Sequence, residues 1–220
     1  MLIYGILEGG GTPWEKAVTL GLFLTAILLA IIVHEMCHGF VAYALGDPTA
    51  KRMGRLTLNP ARHIDPVGAL MMLAAGFGWA KPVMVDVRYF RKPKRDMALT
   101  ALAGPVSNFL LAFAAAGCLR LTASVPYLPD FFFYAALLNI GLGLFNLIPI
   151  PPLDGSKALG ALLPDRTYDG YMRFGHYGMF LLMALILAGN LSGGRFNAFG
   201  FLGELRASIL YGMLGVFGIV

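Results

Sequence analysis

The sequence contains few charged residues: only 13% of its 220 residues are Asp, Glu, Lys or Arg, about half the share in an average soluble protein. Apolar residues make up 58% of the chain, and its mean hydropathy is +0.71. A soluble domain of this size cannot bury so much apolar surface, so the composition excludes that class. We therefore predict a polytopic membrane protein, folded as a single helical domain over residues 1–220.

Cysteine is also scarce, and both copies, Cys37 and Cys118, lie in apolar stretches. Small buried side chains are therefore a better interpretation than a disulfide. The sequence lacks low-complexity tracts, a convincing internal repeat and the basic N-terminal region of a cleavable signal peptide. The net charge is +5, but the basic residues cluster in loops next to apolar segments, so no nucleic-acid partner is expected.

Apolar segments long enough to cross a bilayer, which takes about 20 residues, account for most of the chain. In order they are Trp14–Leu45, Met97–Leu121, Phe131–Leu147, Tyr171–Ala188 and Phe201–Val220. A sixth, Val67–Ala80, is short and glycine-rich, and is expected to re-enter or lie shallow. The predicted fold class is an all-α polytopic membrane protein with five to six membrane segments. Its core lies at about 16–165 and its C-terminal spans at 171–220.

Basic residues predict the orientation of the chain in the cell membrane. Ten of the seventeen Lys and Arg residues fall between residues 51 and 95. Short loops rich in Lys and Arg face the cytoplasm, so segments 46–97 and 150–171 are predicted to be cytoplasmic. Alternation of the later spans places Lys157, Arg166 and Arg173 on that side, and leaves little more than Arg120 and Arg195 on the other.

One segment has the pattern of a strand. In Pro82–Phe90, apolar or aromatic residues take every second position, at Val83, Val85, Val87 and Tyr89. A period of two with β-branched residues predicts a strand, and Arg52–Leu58 is a weaker candidate. Because an open sheet edge cannot face lipid, this small β element must lie at the interface or line a cavity.

The motif His34-Glu35-Met36-Cys37-His38 lies near the end of the first apolar segment. On a helix it places two imidazoles one turn apart on one face, where both can reach one zinc ion. Glu35 can then act as general base on a water molecule that the metal activates. Histidine and glutamate are costly in hydrocarbon, so an intramembrane cluster of them predicts a functional site. The pattern indicates a zinc-dependent hydrolase.

A catalytic zinc site needs a third protein ligand. The candidates are Asp154, His63, Asp65, His176 and Cys37. Asp154 is the strongest, because prolines at 149, 151 and 152 stop the preceding helix and present it on unwound backbone. The alternative is that Asp154 caps a short helix from Ser156 to Leu163. Structural roles are expected for His63, in its loop, and for His176, in the bundle.

Five sequence blocks carry a family resemblance. They are H-E-M-C-H-G at 34–39, N-P-A-R-H-I-D-P-V-G at 59–68, G-W-A-K-P-V at 78–83, A-G-P-V-S-N at 103–108 and N-L-I-P-I-P-P-L-D-G at 146–155. Together they resemble the site-2 protease family of intramembrane zinc metalloproteases, in its compact prokaryotic branch. The resemblance implies one Zn²⁺ per chain, held by His34, His38 and Asp154, with Glu35 as base. It also implies that Asn146 helps to hold the substrate carbonyl.

The activity implied is cleavage of membrane-anchored proteins within or near a transmembrane helix, as in regulated intramembrane proteolysis. The chain lacks the PDZ and CBS insertions of the family, so substrate selection falls to its membrane core, its loops or a partner.

Candidate substrate-binding residues are Val83, Val85 and Val87, on the predicted strand, and Asn108. Asn108 has an alternative role in an interhelical hydrogen bond. An alternative function is an intramembrane metal-binding transporter or channel, which would use Glu35 as a ligand or dispense with it.

Overall fold

A computed structural model of the chain describes residues 9–75, 80–192 and 197–220, and within these residues the regular structure is helical. The helices are α1 Pro13–Ala44, α2 Thr49–Arg52, α3 Pro66–Ala75, α4 Pro93–Leu121, α5 Leu128–Asn146, α6 Asp154–Gly160, α7 Asp165–Arg173, α8 Gly175–Leu191 and α9 Gly200–Val216. Single 3₁₀ turns lie at Pro60–Arg62 and Val87–Tyr89. The all-α prediction is confirmed for this part of the chain.

Three helices, α1, α4 and α5, are long and apolar enough to cross a membrane. A fourth candidate is broken, since Asp165–Arg173 and Tyr177–Gly189 meet at an angle of 53°. The described residues thus contain three to four such spans, and the predicted five to six are not confirmed. The short sixth segment at 67–80 contains most of α3, which has 10 residues. Its length is about 15 Å, which is roughly half the thickness of a bilayer core. Residues 76–79 of that segment lie outside the described part.

The helices α1, α4 and α5 pack against one another at the centre of the bundle. α1 begins at a capping box, in which Thr12 and Glu15 exchange side-chain-to-backbone hydrogen bonds around Pro13. Small residues line the contact faces and let the helix backbones approach closely. Those almost fully buried include Ala26, Ala30, Ala101, Ala112, Ala116 and Ala136.

The last helix, α9, runs alongside α4 and α5 in the opposite direction to α5. Its N-terminus lies beside the C-terminus of α5, where the rings of Phe199 and Phe145 are 5.8 Å apart. Its C-terminus lies beside the end of α4, where Arg120 donates to the carbonyl of Phe217. The chain therefore leaves α5 and enters α9 at the same end of the bundle. This differs from the simple alternation of the last two spans that the sequence predicted.

Between α5 and α6 the chain is unwound over residues 147–153, as its three prolines predict. Protein covers part of this segment, since Pro151 is buried, whereas Leu147, Pro149 and Pro152 are exposed. Tyr171 donates to the carbonyl of Pro149 at 2.8 Å, and Gly178 of α8 lies so close to the Pro151 carbonyl that a Cβ there would collide with it. Irregular backbone is tolerated at membrane depth where it is buried in protein or lines a water-filled cavity. The segment delivers the chain to the start of α6.

The predicted strand at Pro82–Phe90 is wrong. Residues 81–86 are irregular, and the 3₁₀ turn at Val87–Tyr89 follows them. The alternating pattern favours extended backbone, but a strand also needs a neighbouring strand to pair with. Here the N–H of Val83 donates to Glu35, and that of Asp86 donates to Asp47. The carboxylates of Glu35 and Asp47 thus accept hydrogen bonds that the backbone of a neighbouring strand would otherwise accept.

The weaker strand candidate, Arg52–Leu58, is also wrong. It starts on the last residue of α2 and continues through a turn at Gly54, whose φ of +64° suits glycine. In the described residues, β pairing is limited to one isolated antiparallel bridge between Ile64 and Ala80.

Candidate metal centre

Two histidines one helical turn apart form the base of the centre. His34 and His38 lie on the buried face of α1, and their rings meet edge to face with centroids 4.5 Å apart. Their Nε2 atoms are 3.0 Å apart. The i and i+4 spacing therefore produces the convergence that the sequence predicts.

Asp154 completes the group from the first residue of α6. Its Oδ2 lies 3.1 Å from His34 Nε2 and 3.0 Å from His38 Nε2, and its side chain is only 7% exposed. The N-cap of α6 is Leu153, and the Asp154 side chain makes no capping hydrogen bond. The alternative that Asp154 caps the helix is therefore wrong, and its carboxylate faces the histidines instead.

The partners of the two Nδ1 atoms set the protonation of the rings. His38 Nδ1 lies 2.7 Å from the carbonyl oxygen of Thr100, which can only accept, so this nitrogen donates. His34 Nδ1 donates to the side-chain oxygen of Asn108 at 2.6 Å. A neutral imidazole carries one proton, so each Nε2 is left with a lone pair directed at the other ligand atoms.

The resulting donor set calls for a cation. Two imidazole lone pairs and a carboxylate oxygen are all acceptors, and the three atoms lie within 4.8 Å of one another. Acceptors at such short distances repel unless a positive charge lies among them. Two His nitrogens and one carboxylate oxygen are a ligand set of catalytic zinc sites, which keep a fourth position open. The residues therefore fit a zinc ion.

A glycine on α4 makes room for this cluster. A Cβ built on Gly104 would lie 2.5 Å from both His34 Cε1 and His38 Nε2, a distance that real Cβ contacts do not show. Any side chain at this position would push the imidazoles out of place. The space between α1 and α4 is therefore shaped by the absence of a side chain.

The second carboxylate oxygen of Asp154 pairs with Lys157, whose Nζ lies 3.1 Å from Oδ1. Asp154 thus has one oxygen on the histidines and the other on the lysine, whose positive charge stabilises the carboxylate form.

Glu35 lies between the two histidines in the chain, and its Oε2 accepts a hydrogen bond from the Val83 N–H at 2.8 Å. Glu35 is therefore held by the irregular segment at 81–86. Asn146 lies at the C-terminal end of α5, half-buried, and its Nδ2 donates to the Leu142 carbonyl at 3.0 Å. Val85 is half-buried and Val87 exposed.

Asn108 is fully buried between helices. Besides accepting from His34, it donates to the carbonyl of Ala30 and to the side-chain oxygen of Asn139. The interhelical hydrogen bond, which was one of its two predicted roles, is therefore present.

Three of the other ligand candidates, His63, Asp65 and Cys37, lie outside the group. His63 is buried in its loop, with Nε2 2.8 Å from the Thr57 carbonyl, in agreement with the structural role predicted for it. Asp65 accepts hydrogen bonds from the first turn of α3, and Cys37 is a free, half-buried thiol. His176 belongs to α8, but its side chain lies outside the described part.

Sequence reasoning missed several residues around the centre. Lys157 had a signal, since it follows Asp154 by three residues and so shares its helix face. Gly104 lies in the A-G-P-V-S-N block, but glycines in membrane helices are common and serve packing in general. The Thr100 carbonyl had no signal, because any residue type supplies that group.

Comparison with known proteins supports the chemistry of the site. The model of peptidase family M50 matches residues 121–189, which include Asp154. YwhC of Bacillus subtilis, whose name is that of a zinc metalloprotease, is 41% identical over 170 residues, or 73% of this chain and 78% of YwhC. Rip2 of Mycobacterium tuberculosis, named likewise, is 30% identical over 90% of this chain and 82% of its own length.

The chain is also similar, over less than half of its length, to a further protease. The regulator of sigma-E protease RseP of Escherichia coli is 33% identical over 105 residues, which are 44% of this chain and 22% of RseP. No solved structure matches the chain.

One zinc ion per purified chain is the expected metal content. Asp154→Ala should lose most of the zinc, because it removes the only anionic ligand atom of the group. His63→Ala is the matched control, since it removes a buried histidine outside the group. Metal analysis by mass spectrometry gives the occupancy, and a chain that kept its zinc after Asp154→Ala but lost it after His63→Ala would contradict the assignment.

Gly104→Ala should also abolish zinc binding, because its methyl group would take the space of the His34 and His38 rings. Gly141→Ala is the matched control on α5: a Cβ there meets its nearest neighbour, the flexible Arg206 side chain, at an ordinary 3.6 Å. Zinc occupancy of both variants in detergent measures the difference. Equal occupancy in the two would mean that the imidazoles do not depend on the Gly104 gap.

Proposed function

Since the chain belongs to peptidase family M50, the site-2 proteases, and is a zinc metalloprotease, we propose that it cleaves membrane-anchored proteins within or near their transmembrane helices. The observation that carries this proposal is the buried group of His34, His38 and Asp154 between membrane helices, with Glu35 beside it. The same arrangement limits the substrates to chains that reach membrane depth.

His34 Nε2, His38 Nε2 and Asp154 Oδ2 would hold the metal. When bound, zinc would supply Lewis acidity for hydrolysis of the scissile peptide bond. Glu35 would take a proton from the attacking water and later give it to the leaving amine. Because Oε2 of Glu35 is engaged by the Val83 N–H, the other carboxylate oxygen, Oε1, is the one left to carry the proton.

Asn146 is proposed to hold the substrate carbonyl. It ends α5, directly before the unwound segment that leads to Asp154, and its side-chain amide has two N–H groups, of which one donates to Leu142. The second can donate to the carbonyl as negative charge develops there. We propose a different role for Asn108, because its side-chain oxygen and nitrogen already form hydrogen bonds with His34, Ala30 and Asn139.

The irregular segment at 81–86 is proposed to receive the substrate. A helical peptide bond is shielded by its own turn, so the substrate must unwind before it can be cut. Within the described structure, the N–H groups of Met84 and Val85 donate to no other residue, although the segment lies against Glu35. An unwound substrate could regain main-chain hydrogen bonds there, with Val83, Val85 and Val87 as side-chain contacts.

We place the centre near the cytoplasmic face of the cell membrane. The support is the excess of Lys and Arg between residues 51 and 95, which lie at the end of α1 that carries the histidines. The transporter or channel alternative is not favoured, because relatives that match most of the chain carry zinc metalloprotease names. It would also leave Glu35 without a role, since the metal group forms without it.

Glu35→Gln is the test of the reaction. It should abolish cleavage of a membrane-anchored reporter, because the amide cannot accept the proton, while zinc occupancy stays at the wild-type level. His63→Gln serves as control, since His63 lies outside the centre. Fragments of membrane proteins in cells that express each form can be compared by proteomics, which would also reveal native substrates. Full cleavage by the zinc-loaded Glu35→Gln protein would refute the proposed role of Glu35.

Val85→Pro tests the substrate segment, because it removes one free N–H donor and leaves every zinc ligand unchanged. A folded, zinc-loaded protein with strongly reduced cleavage is expected. Val85→Ala, which keeps the N–H and shortens the side chain, should cleave faster than Val85→Pro. If Val85→Pro cuts the reporter at the wild-type rate, the substrate is held elsewhere.

A further inference from the structure

A buried asparagine pair joins the metal centre to α5. Asn108 on α4 and Asn139 on α5 are 0% and 3% exposed, and Asn108 Nδ2 donates to Asn139 Oδ1 at 2.7 Å. Asn139 Nδ2 donates in turn to the carbonyl of Ala135 at 2.8 Å. The described contacts therefore form one chain of hydrogen bonds that runs from His34 through Asn108 and Asn139 to the backbone of α5.

Backbone carbonyls fix the direction of this chain. A side-chain amide can be turned by 180°, which exchanges its donor and its acceptor. The carbonyl of Ala135 can only accept, so it holds the NH₂ group of Asn139 and leaves Oδ1 facing Asn108. That oxygen and the Ala30 carbonyl, at 3.3 Å, both require the NH₂ group of Asn108. The Asn108 oxygen is thereby directed at His34.

The direction decides whether His34 can bind a metal. With the Asn108 oxygen on Nδ1, the imidazole proton stays on Nδ1 and the Nε2 lone pair faces the centre. If Asn108 turned over, its NH₂ group would meet Nδ1, and the proton would move to Nε2, where it would block the metal. The tautomer of His38 does not depend on Asn108, since the partner of its Nδ1 is the Thr100 carbonyl, which can only accept.

We infer that Asn139 is a positioning residue of the metal centre, which acts through Asn108 to keep His34 in the tautomer that binds zinc. Neither the family match nor the named relatives assign it a role. The inference rests on the proposed metal site but not on the cleavage reaction. Second-shell partners that orient a metal-bound histidine are known to matter for affinity, and Asn139 acts one step further out.

The test uses zinc affinity and the protonation of His34, both of which are independent of proteolysis. Asn139→Leu removes the acceptor for Asn108 and keeps a side chain of similar size. Ile140→Ala is the control, because it destabilises the same helix at a fully buried position without touching the chain of hydrogen bonds. Competition with a chelator measures zinc affinity in detergent, and thermal unfolding measures stability.

The tautomer can be read directly. The chain has four histidines, so ¹⁵N NMR of the metal-free protein with labelled histidine gives few signals, and a His34→Gln spectrum assigns that of His34. In the wild type, His34 should carry its proton on Nδ1. In Asn139→Leu it should show a mixture of tautomers, with zinc affinity lowered by roughly tenfold or more. Ile140→Ala should keep both properties.

Asn139→Asp is the conservative variant, since a neutral carboxyl group can accept from Asn108 through its C=O and donate to the Ala135 carbonyl through its O–H. It should keep the Nδ1 proton on His34 and nearly wild-type zinc affinity. Asn139→Ala, which removes the acceptor without adding bulk, supplies the test should Asn139→Leu fail to fold, with the same loss expected. A loss of zinc affinity in Asn139→Leu no larger than in Ile140→Ala, or a His34 tautomer unchanged by it, would overturn the inference. A wild-type chain that binds no zinc would instead refute the proposed metal site.

Discussion

The need for a cation among three buried acceptor atoms is the constraint on which the centre depends. His34, His38 and Asp154 bring lone pairs within 3.1 Å of one another, and the surrounding helices prevent them from moving apart. Gly104 leaves the space that the imidazoles need. A bound metal would thus link α1, which carries the two histidines, to α6, which carries Asp154, so the folded bundle and the metal site would support each other.

The sequence predicted the helical class and the ligand group, because both depend on local patterns. His34 and His38 converge through the pitch of a single helix, and three prolines force the unwinding that precedes Asp154. The family resemblance then favoured Asp154 over the other candidates. Gly104, Thr100 and Asn139 could not be found in this way, because their roles arise from contacts between helices that are distant in the chain.

The wrong predictions share a physical cause. The alternating residues of Pro82–Phe90 favour extended backbone, but whether such a segment becomes a strand depends on its partner, and here Glu35 and Asp47 accept its amides. Hydropathy likewise identifies apolar segments without fixing where each one packs. α9 lies against α4 and α5 in a direction that alternation did not predict, because aromatic contacts and Arg120 set its position.

The direction of α9 also places its C-terminal end on the same side of the bundle as the N-terminal end of α1. α1 enters beside the start of α5, where Phe23 and Tyr134 are in contact, and α9 ends at the same level, beside Arg120. The first and last helices of the described chain therefore open onto one face, opposite the metal centre. A probe attached near the start of α1 or the end of α9 would therefore report on the face away from the metal centre.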